Sequence, residues 1–134
     1  MKYLLDVNAL VALGNEEHAQ HERVARWEKG LASRRVPEFV TCPITELGFV
    51  RILAQVPVYG FTVAQARELL LRLKADASVR FTFLPDDHDA SRLPDWVVSS
   101  KQTTDGHLVH LAKANGAVFA TLDENIPGAF LIPA

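Results

Sequence analysis

Lys2-Tyr3-Leu4-Leu5-Asp6-Val7-Asn8 decides how this chain is read: a short β-like run ends on an acid, and helix-forming sequence follows. Asn8–Leu13 is apolar and Ala-rich and is closed by Gly14-Asn15, so the first strand leads into a short helix. The same rhythm continues outward. His18–Leu31 carries Val24, Trp27 and Leu31 at spacings of three and four, one helical face, with Gly30 weakening its last turn. Phe39-Val40-Thr41 reads as a second strand. Pro43 opens a helix through Leu53, with Ile44, Leu47, Val50 and Ile52 as apolar positions. Val56–Phe61 holds Pro57 and Gly60 and reads as a loop. Thr62-x-x-Gln65 is a capping box that starts a helix over Val63–Ala75, with Leu69, Leu70 and Leu73 inward. Val79–Leu84 alternates like a strand and stops at Pro85. Asp86–Leu93 is polar, and Pro94–Ser99 reads as a short helix. Thr104 caps a helix from Asp105 to Asn115, ended by Gly116. Ala117–Thr121 is a strand, and Phe130-Leu131-Ile132 a last edge strand before Pro133.

Strands alternating with helices imply an α/β fold, a central mostly parallel β-sheet flanked by helices on both faces. The 134 residues fit a single domain, with no internal repeat, linker or low-complexity tract. Hydrophobic residues make up 49% and charged residues 22%, a balance that supports a core and argues against disorder. A chain of this size buries roughly 65–70% of its unfolded surface, so neither disulfides nor a structural metal are needed to hold it. Cys42 is the lone cysteine; it excludes an internal disulfide and a Cys-based zinc site, and in its apolar stretch it reads as a small buried hydrophobe. The acid at Asp6 interrupts any signal-peptide pattern, and no apolar run approaches the roughly 20 residues that span a bilayer, so a cytoplasmic protein is expected, with no membrane partner. Net charge is −2, and 12 of the 14 Lys and Arg residues lie at or before Arg92. Any binding of nucleic acid must then lean on bound cations to offset the acids.

Parallel sheets place their sites at the carboxyl ends of the strands. Asp6 follows the first strand and Asp123 the strand ending at Thr121. Asp105 stands in the first turn of the helix before that strand, and Glu46 in the first turn of the helix after the second strand. Each acid has a structural reading of its own, as a turn former, a cap or a partner of the helix dipole. Together, four carboxylates at one edge repel each other unless a hard cation, Mg²⁺ or Mn²⁺ rather than zinc, is held among their oxygens. Such ions lower the pKa of water, clamp a phosphate oxygen and stabilise the leaving oxygen of an in-line displacement. Asn8, two after Asp6, and Thr121, two before Asp123, are placed to support the site.

These residues resemble a known family. Leu4-Leu5-Asp6-Val7-Asn8-Ala9-Leu10 looks like the opening strand of PIN domains. Thr45-Glu46-Leu47-Gly48-Phe49-Val50-Arg51 resembles their second acidic motif, Thr103-Thr104-Asp105-Gly106-His107-Leu108 the third, and Ala120-Thr121-Leu122-Asp123 the fourth. The stretch from Glu46 through Phe61 to Phe83-Leu84-Pro85-Asp86-Asp87 looks like the VapC branch, and the likeness covers nearly the whole chain. Each motif alone is weak; four in order are specific. The resemblance implies a PIN-like fold over residues 1–134 and a metal-dependent endoribonuclease. It implies Asp6, Glu46, Asp105 and Asp123 as catalytic and metal-binding acids, supported by Asn8 and Thr121. It implies the toxin of a VapBC-type pair: a homodimer acting on RNA (a tRNA or another structured RNA), blocked by a VapB-type antitoxin, with DNA bound only indirectly through that antitoxin. The alternative within the family is an RNA-processing nuclease outside any toxin–antitoxin pair. The short tail after Asp123, with Pro127-Gly128, departs from longer relatives.

Other readings compete. An aspartate-based phosphatase with Asp6 as nucleophile wants a second Asp where Asn8 stands. A receiver-like module wants a Lys after a late strand, and the strand ending at Thr121 offers none. A dinucleotide-binding reading lacks the Gly-rich turn. A non-catalytic binding module is excluded only by activity. His18 and His21, three apart, lack a third metal ligand and read as exposed or partner-facing; His107, two after Asp105 on a helix, points elsewhere on the turn, and His88 and His110 have no evident partner. Trp27 and Trp96 read as core or interface residues. Arg51, five after Glu46, is a candidate for substrate support, by reaching a phosphate, or for a salt bridge. Phe49, Leu53, Leu69 and Leu73 serve either the monomer core or a second subunit.

Overall fold

The computed structural model describes all 134 residues. Five strands form one sheet: β1 (Lys2–Leu5), β2 (Glu38–Thr41), β3 (Arg80–Phe83), β4 (Ala117–Thr121) and β5 (Phe130–Leu131). Their order is β3-β2-β1-β4-β5, and every pairing is parallel. The expected mostly parallel sheet is therefore wholly so: helices make the returns from β1 through to β4, and a loop over 122–129 makes the last one to β5. The helices are α1 (Val7–Gly14), α2 (His21–Ala32), α3 (Pro43–Gln55), α4 (Val63–Lys74) and α5 (Thr103–Ala114).

The period-two alternation of β1 sets the two faces. Tyr3 and Leu5 join a core with Leu10 of α1, Trp27 of α2, Phe49 and Leu53 of α3 and Leu70 of α4. Leu4 turns to the other face and packs with Phe119 of β4 and with Leu108, Leu111 and Ala112 of α5. Trp27 is core: its ring stacks on Phe39 at 5.4 Å and meets the edge of Tyr3 at 4.9 Å. Phe49 and Leu53 are fully buried, and Leu69 and Leu73 pack partly buried against the same core, so the monomer itself uses them.

Close helix packing explains one glycine. A Cβ on Gly48 would stand 2.7 Å from Cγ2 of Val7, so α3 lies against α1 at a distance only glycine allows. Leu47, treated above as an apolar position of that helix, is 68% exposed, because Thr45, Gly48 and Phe49 take the inward face. Cys42 is buried at the N-cap of α3, and burial pushes its thiol up, as a small hydrophobe requires. The Thr62–Gln65 capping box forms as read, with reciprocal bonds of 3.1 and 2.9 Å.

Two local readings fail. Pro94–Ser99 is not a helix. Pro94–Val97 makes one turn, the Val97 N–H reaching the Pro94 carbonyl at 3.0 Å; the side-chain carbonyl of Gln102 then accepts the Val98 and Ser99 N–H groups at 2.8 and 3.1 Å, leading the chain into a short 3₁₀ turn at Ser100–Gln102. That turn runs straight into α5, which starts at Thr103 after Gln102, so Thr104 lies inside the helix and caps nothing. Gly116 ends α5 as expected, at φ +69°. No helix is long and apolar enough to cross a membrane.

Candidate active site

From β1 the chain steps outward to β2 and β3, then returns across β1 to lay β4 and β5 on the other side. The reversal falls between β1 and β4. In a parallel sheet the crevice beyond the carboxyl ends at such a reversal is the natural ligand site. Asp6 stands just past β1 and Asp123 just past β4.

Asp6 both caps α1 and lines the crevice. As N-cap of α1 its Oδ1 accepts the Val7 N–H at 2.7 Å, while Oδ2 accepts the Thr121 hydroxyl at 2.8 Å. The Thr121 oxygen in turn accepts the Asp123 N–H at 3.0 Å. Thr121 is fully buried, so its one hydroxyl fixes both strand-end acids relative to each other. Asp123 closes a turn by accepting the Asn125 N–H at 2.8 Å. Asp105 sits in the first turn of α5, directly before Gly106, whose missing Cβ would stand 2.2 Å from Cγ2 of Val97.

Asp6, Asn8, Asp105 and Asp123 line one cavity of about 380 Å³, with His18, Gln20 and Leu122. The electrostatics match that crowding. Burial raises the Asp6 carboxyl above its ordinary range; the Thr121 and Val7 hydrogen bonds offset part of this, and Asp123 adds to it. Asp105 is pushed up to about 6, first by burial, then by the charges of Asp6 and Asp123. Asp105 thus takes part in a shared field of like charge. Hard oxygen donors under mutual repulsion fit a divalent cation. The side chains are not closed around one: no group of three or more His, Cys, Asp or Glu residues converges tightly enough to hold an ion as they stand. A larger cleft of about 580 Å³ lies at the opposite ends of the strands, but Arg34, Arg35, Arg80 and Lys2 make its wall basic and Glu38 is its only acid.

The fourth acid is held apart. Glu46 does not line the cavity; its Oε2 accepts the Thr41 hydroxyl at 2.6 Å and an ion pair from Lys74 at 2.5 Å. Lys74 comes from the last turn of α4, and its ammonium also lies 5.5 Å from the Phe83 ring centre. Sequence reading had no signal for this lysine, since its partner is 28 residues away. Arg51 is exposed on α3, outside the cavity, and makes no salt bridge, so the ion-pair reading fails there. His18 and His21 also differ from expectation, whereas His107 points away from Asp105 as its spacing predicts. His21 is turned inward onto the Ala12 carbonyl at 2.7 Å, and His18 is half-buried in the wall of the acidic cavity. His107 pairs with Asp86 at 2.5 Å, on the side of α5 away from Asp105's cavity lining.

Comparison with known proteins agrees with this arrangement. The family model described as PIN domain matches residues 3–129. The chain is 38% identical over 128 residues to Ribonuclease VapC38 of Mycobacterium tuberculosis, covering 92% of this chain and 86% of that protein. It is also 38% identical over 142 residues to Ribonuclease VapC44 of the same species, covering 96% and 94%. Among solved structures, the fold is similar to that of Mycobacterium tuberculosis VapC20, described as a sarcin-ricin loop cleaving toxin (TM-score 0.64, 14% identity, 99% of this chain and 100% of that one). It is likewise similar to Rickettsia felis VapBC2 bound to a DNA fragment from its promoter (TM-score 0.63, 15% identity, 98% and 97%). An all-parallel sheet with three carboxylates gathered at its point of reversal, matched along nearly its whole length, places this chain in the PIN-domain family, on its VapC branch.

Proposed function

We infer that this chain is an endoribonuclease, the toxin of a toxin–antitoxin pair, and that residues 1–134 act as one PIN domain in which Asp6, Asp105 and Asp123 are the catalytic acids. The observation that carries the reading is the convergence of those three side chains on one cavity, with Asp105 driven up to about 6 first by burial and then by the charges of the other two. The kinship with VapC ribonucleases over most of the chain gives the reaction class.

Asp6, Asp105 and Asp123 would hold Mg²⁺ or Mn²⁺, with Glu46 joining once it exchanges Lys74 for the cation. When bound, the ion lowers the pKa of water and neutralises charge on the scissile phosphate. The chain's own groups do the rest. The Thr121 hydroxyl keeps Asp6 and Asp123 at fixed separation. Asn8, exposed one residue into α1, offers an amide to the substrate backbone. Arg51, exposed and unpaired, is free to meet a more distant phosphate. The partners of the reading are a structured RNA such as a tRNA, a VapB-type antitoxin that covers the acidic cavity, and a second copy of the chain.

The test is cleavage of total cellular RNA by the purified chain with Mn²⁺ or Mg²⁺, against EDTA and Asp105→Asn controls. Cutting that needs both metal and Asp105 is the expected result. Cutting that survives EDTA, or survives Asp105→Asn, would place the chemistry elsewhere.

A further inference from the structure

The wall of the acidic cavity holds one group that the reaction scheme above leaves unused. His18 lies in the connection between α1 and α2, and that connection is fastened at successive points. The Asn15 side-chain oxygen accepts the Glu17 N–H at 3.1 Å, and its carbonyl accepts the His18 N–H at 3.0 Å. The His18 carbonyl accepts the His21 N–H at 3.0 Å, and the His21 ring donates from Nδ1 to the Ala12 carbonyl at 2.7 Å. The segment that presents His18 is therefore pinned to α1 at Ala12 and closed upon itself.

The ring is fixed as well. Its Nδ1 faces the Gln20 N–H at 3.0 Å. A backbone N–H only donates, so Nδ1 must be the accepting nitrogen, and the proton of the neutral imidazole is on Nε2. Burial, together with the neighbouring His21, favours that neutral form. This tautomer limits what His18 can do. It cannot ligate a cation through Nε2, whose lone pair is taken by the proton. It cannot act as a general base there for the same reason. What remains is a neutral N–H donor at the edge of a cavity whose charged lining is entirely acidic.

We propose that His18 is a substrate-binding residue whose Nε2–H donates a hydrogen bond to a phosphate oxygen of the RNA strand lying in the acidic cavity. The proposal rests on the nuclease reading above and adds to it the group that receives the strand. A phosphate brought against Asp6, Asp105 and Asp123 needs donors from the protein to be held in register. The other donors of the lining, Asn8 and Gln20, are exposed amides, whereas His18 is half-buried and locked by its backbone partner. A neutral donor carries no charge to compete for the carboxylates, so it complements a cation instead of displacing it.

The experiment uses the full chain and four versions of residue 18: the native His, His18→Ala, His18→Phe and His18→Gln. Each is assayed with Mn²⁺ on the labelled RNA that the native chain cuts fastest, and Mn²⁺ binding without RNA is followed by calorimetry. Ala and Phe should each lose about thirtyfold in kcat/KM, the scale of a charge-assisted hydrogen bond, while Gln, which keeps an N–H donor, returns to within about fivefold. Mn²⁺ affinity should be unchanged in all four. Nitrogen-15 spectra of the native imidazole report the tautomer independently of activity or variant folding, and the Nε2–H form is expected. Native-like cutting by the Phe variant, a large loss of Mn²⁺ affinity in the Ala variant, or an Nδ1–H tautomer each overturns the role of His18. Absence of cutting by the native chain overturns the nuclease reading instead.

Discussion

The Thr121 hydroxyl donates to Oδ2 of Asp6 at 2.8 Å across 115 residues of sequence, and the same oxygen accepts the Asp123 backbone N–H at 3.0 Å. Thr121→Val keeps the shape and removes both bonds. Leaving the carboxylate and the amide short of partners should cost about 2 kcal/mol in urea unfolding, and cleavage should fall at least tenfold as the acids lose their spacing. Thr121→Ser keeps the hydroxyl and should keep most of both. A Val variant with native activity would show that the spacing is set elsewhere.

Asp6 and Asp105 should separate in stability although the proposed function expects both to be needed for cutting. Asp6 caps α1, so Asp6→Ala should cost about 1 kcal/mol even without metal. Asp105 accepts no protein hydrogen bond and is opposed by two like charges, so Asp105→Asn should melt no lower than the native chain in EDTA. Paired thermal melts decide it; equal losses in the two variants would argue against a repulsive cluster.

The raised Asp105 carboxyl also sets a pH window. Its folded value of about 6 lies above its unfolded value of 3.8, so between those two the folded chain binds the extra proton. Stability from this group is therefore full below pH 3.8, declines as pH rises toward 6, and is flat above. In EDTA, the native melting temperature minus that of Asp105→Asn should fall across that interval. A difference independent of pH would mean that the carboxyl titrates normally. Adding Mg²⁺ should flatten the native curve, because a bound cation favours the ionised form.

Lys74 and a divalent cation compete for Glu46. Lys74→Met removes the 2.5 Å ion pair and leaves a half-buried carboxylate seeking charge. Mn²⁺ affinity measured by calorimetry should rise several-fold, with a modest loss of metal-free stability of about 1 kcal/mol. Unchanged affinity would remove Glu46 from the metal-holding set.

Gly106→Ala should destabilise by about 2 kcal/mol, since the new methyl would strike Val97 in a packed helix–loop contact. Val97→Ala in the same chain should recover much of that loss in urea unfolding; additive losses would instead point to the glycine's backbone.

The sheet was legible in the sequence because its strands are short apolar runs bounded by acids, glycines or prolines, and the helices between them carry one apolar face each. Asp6, Asp105 and Asp123 were legible through the same rule, as strand ends and a helix start in a parallel sheet. What escaped depends on partners far along the chain or on loop hydrogen bonds. Glu46 occupies the expected helix turn, but Lys74 arrives from another helix and takes its oxygen. Pro94–Val97 closes only a single turn, and the Gln102 side chain holds Val98 and Ser99 out of a helix, which no local propensity reveals. His18 and His21 have a spacing that could bind metal but no third ligand to complete a set, and only the folded loop brings His18 to the acids.

Adjacency of β1 and β4 makes the acidic cavity a joint product of two distant stretches of chain. Asp6 and its hydroxyl partner Thr121 are separated by 115 residues of sequence, and Asp123 lies two residues further on. No fragment that stops short of β4 contains the pair. Keeping β4 from docking beside β1 would leave single acids on separate stretches of chain and no cavity at all.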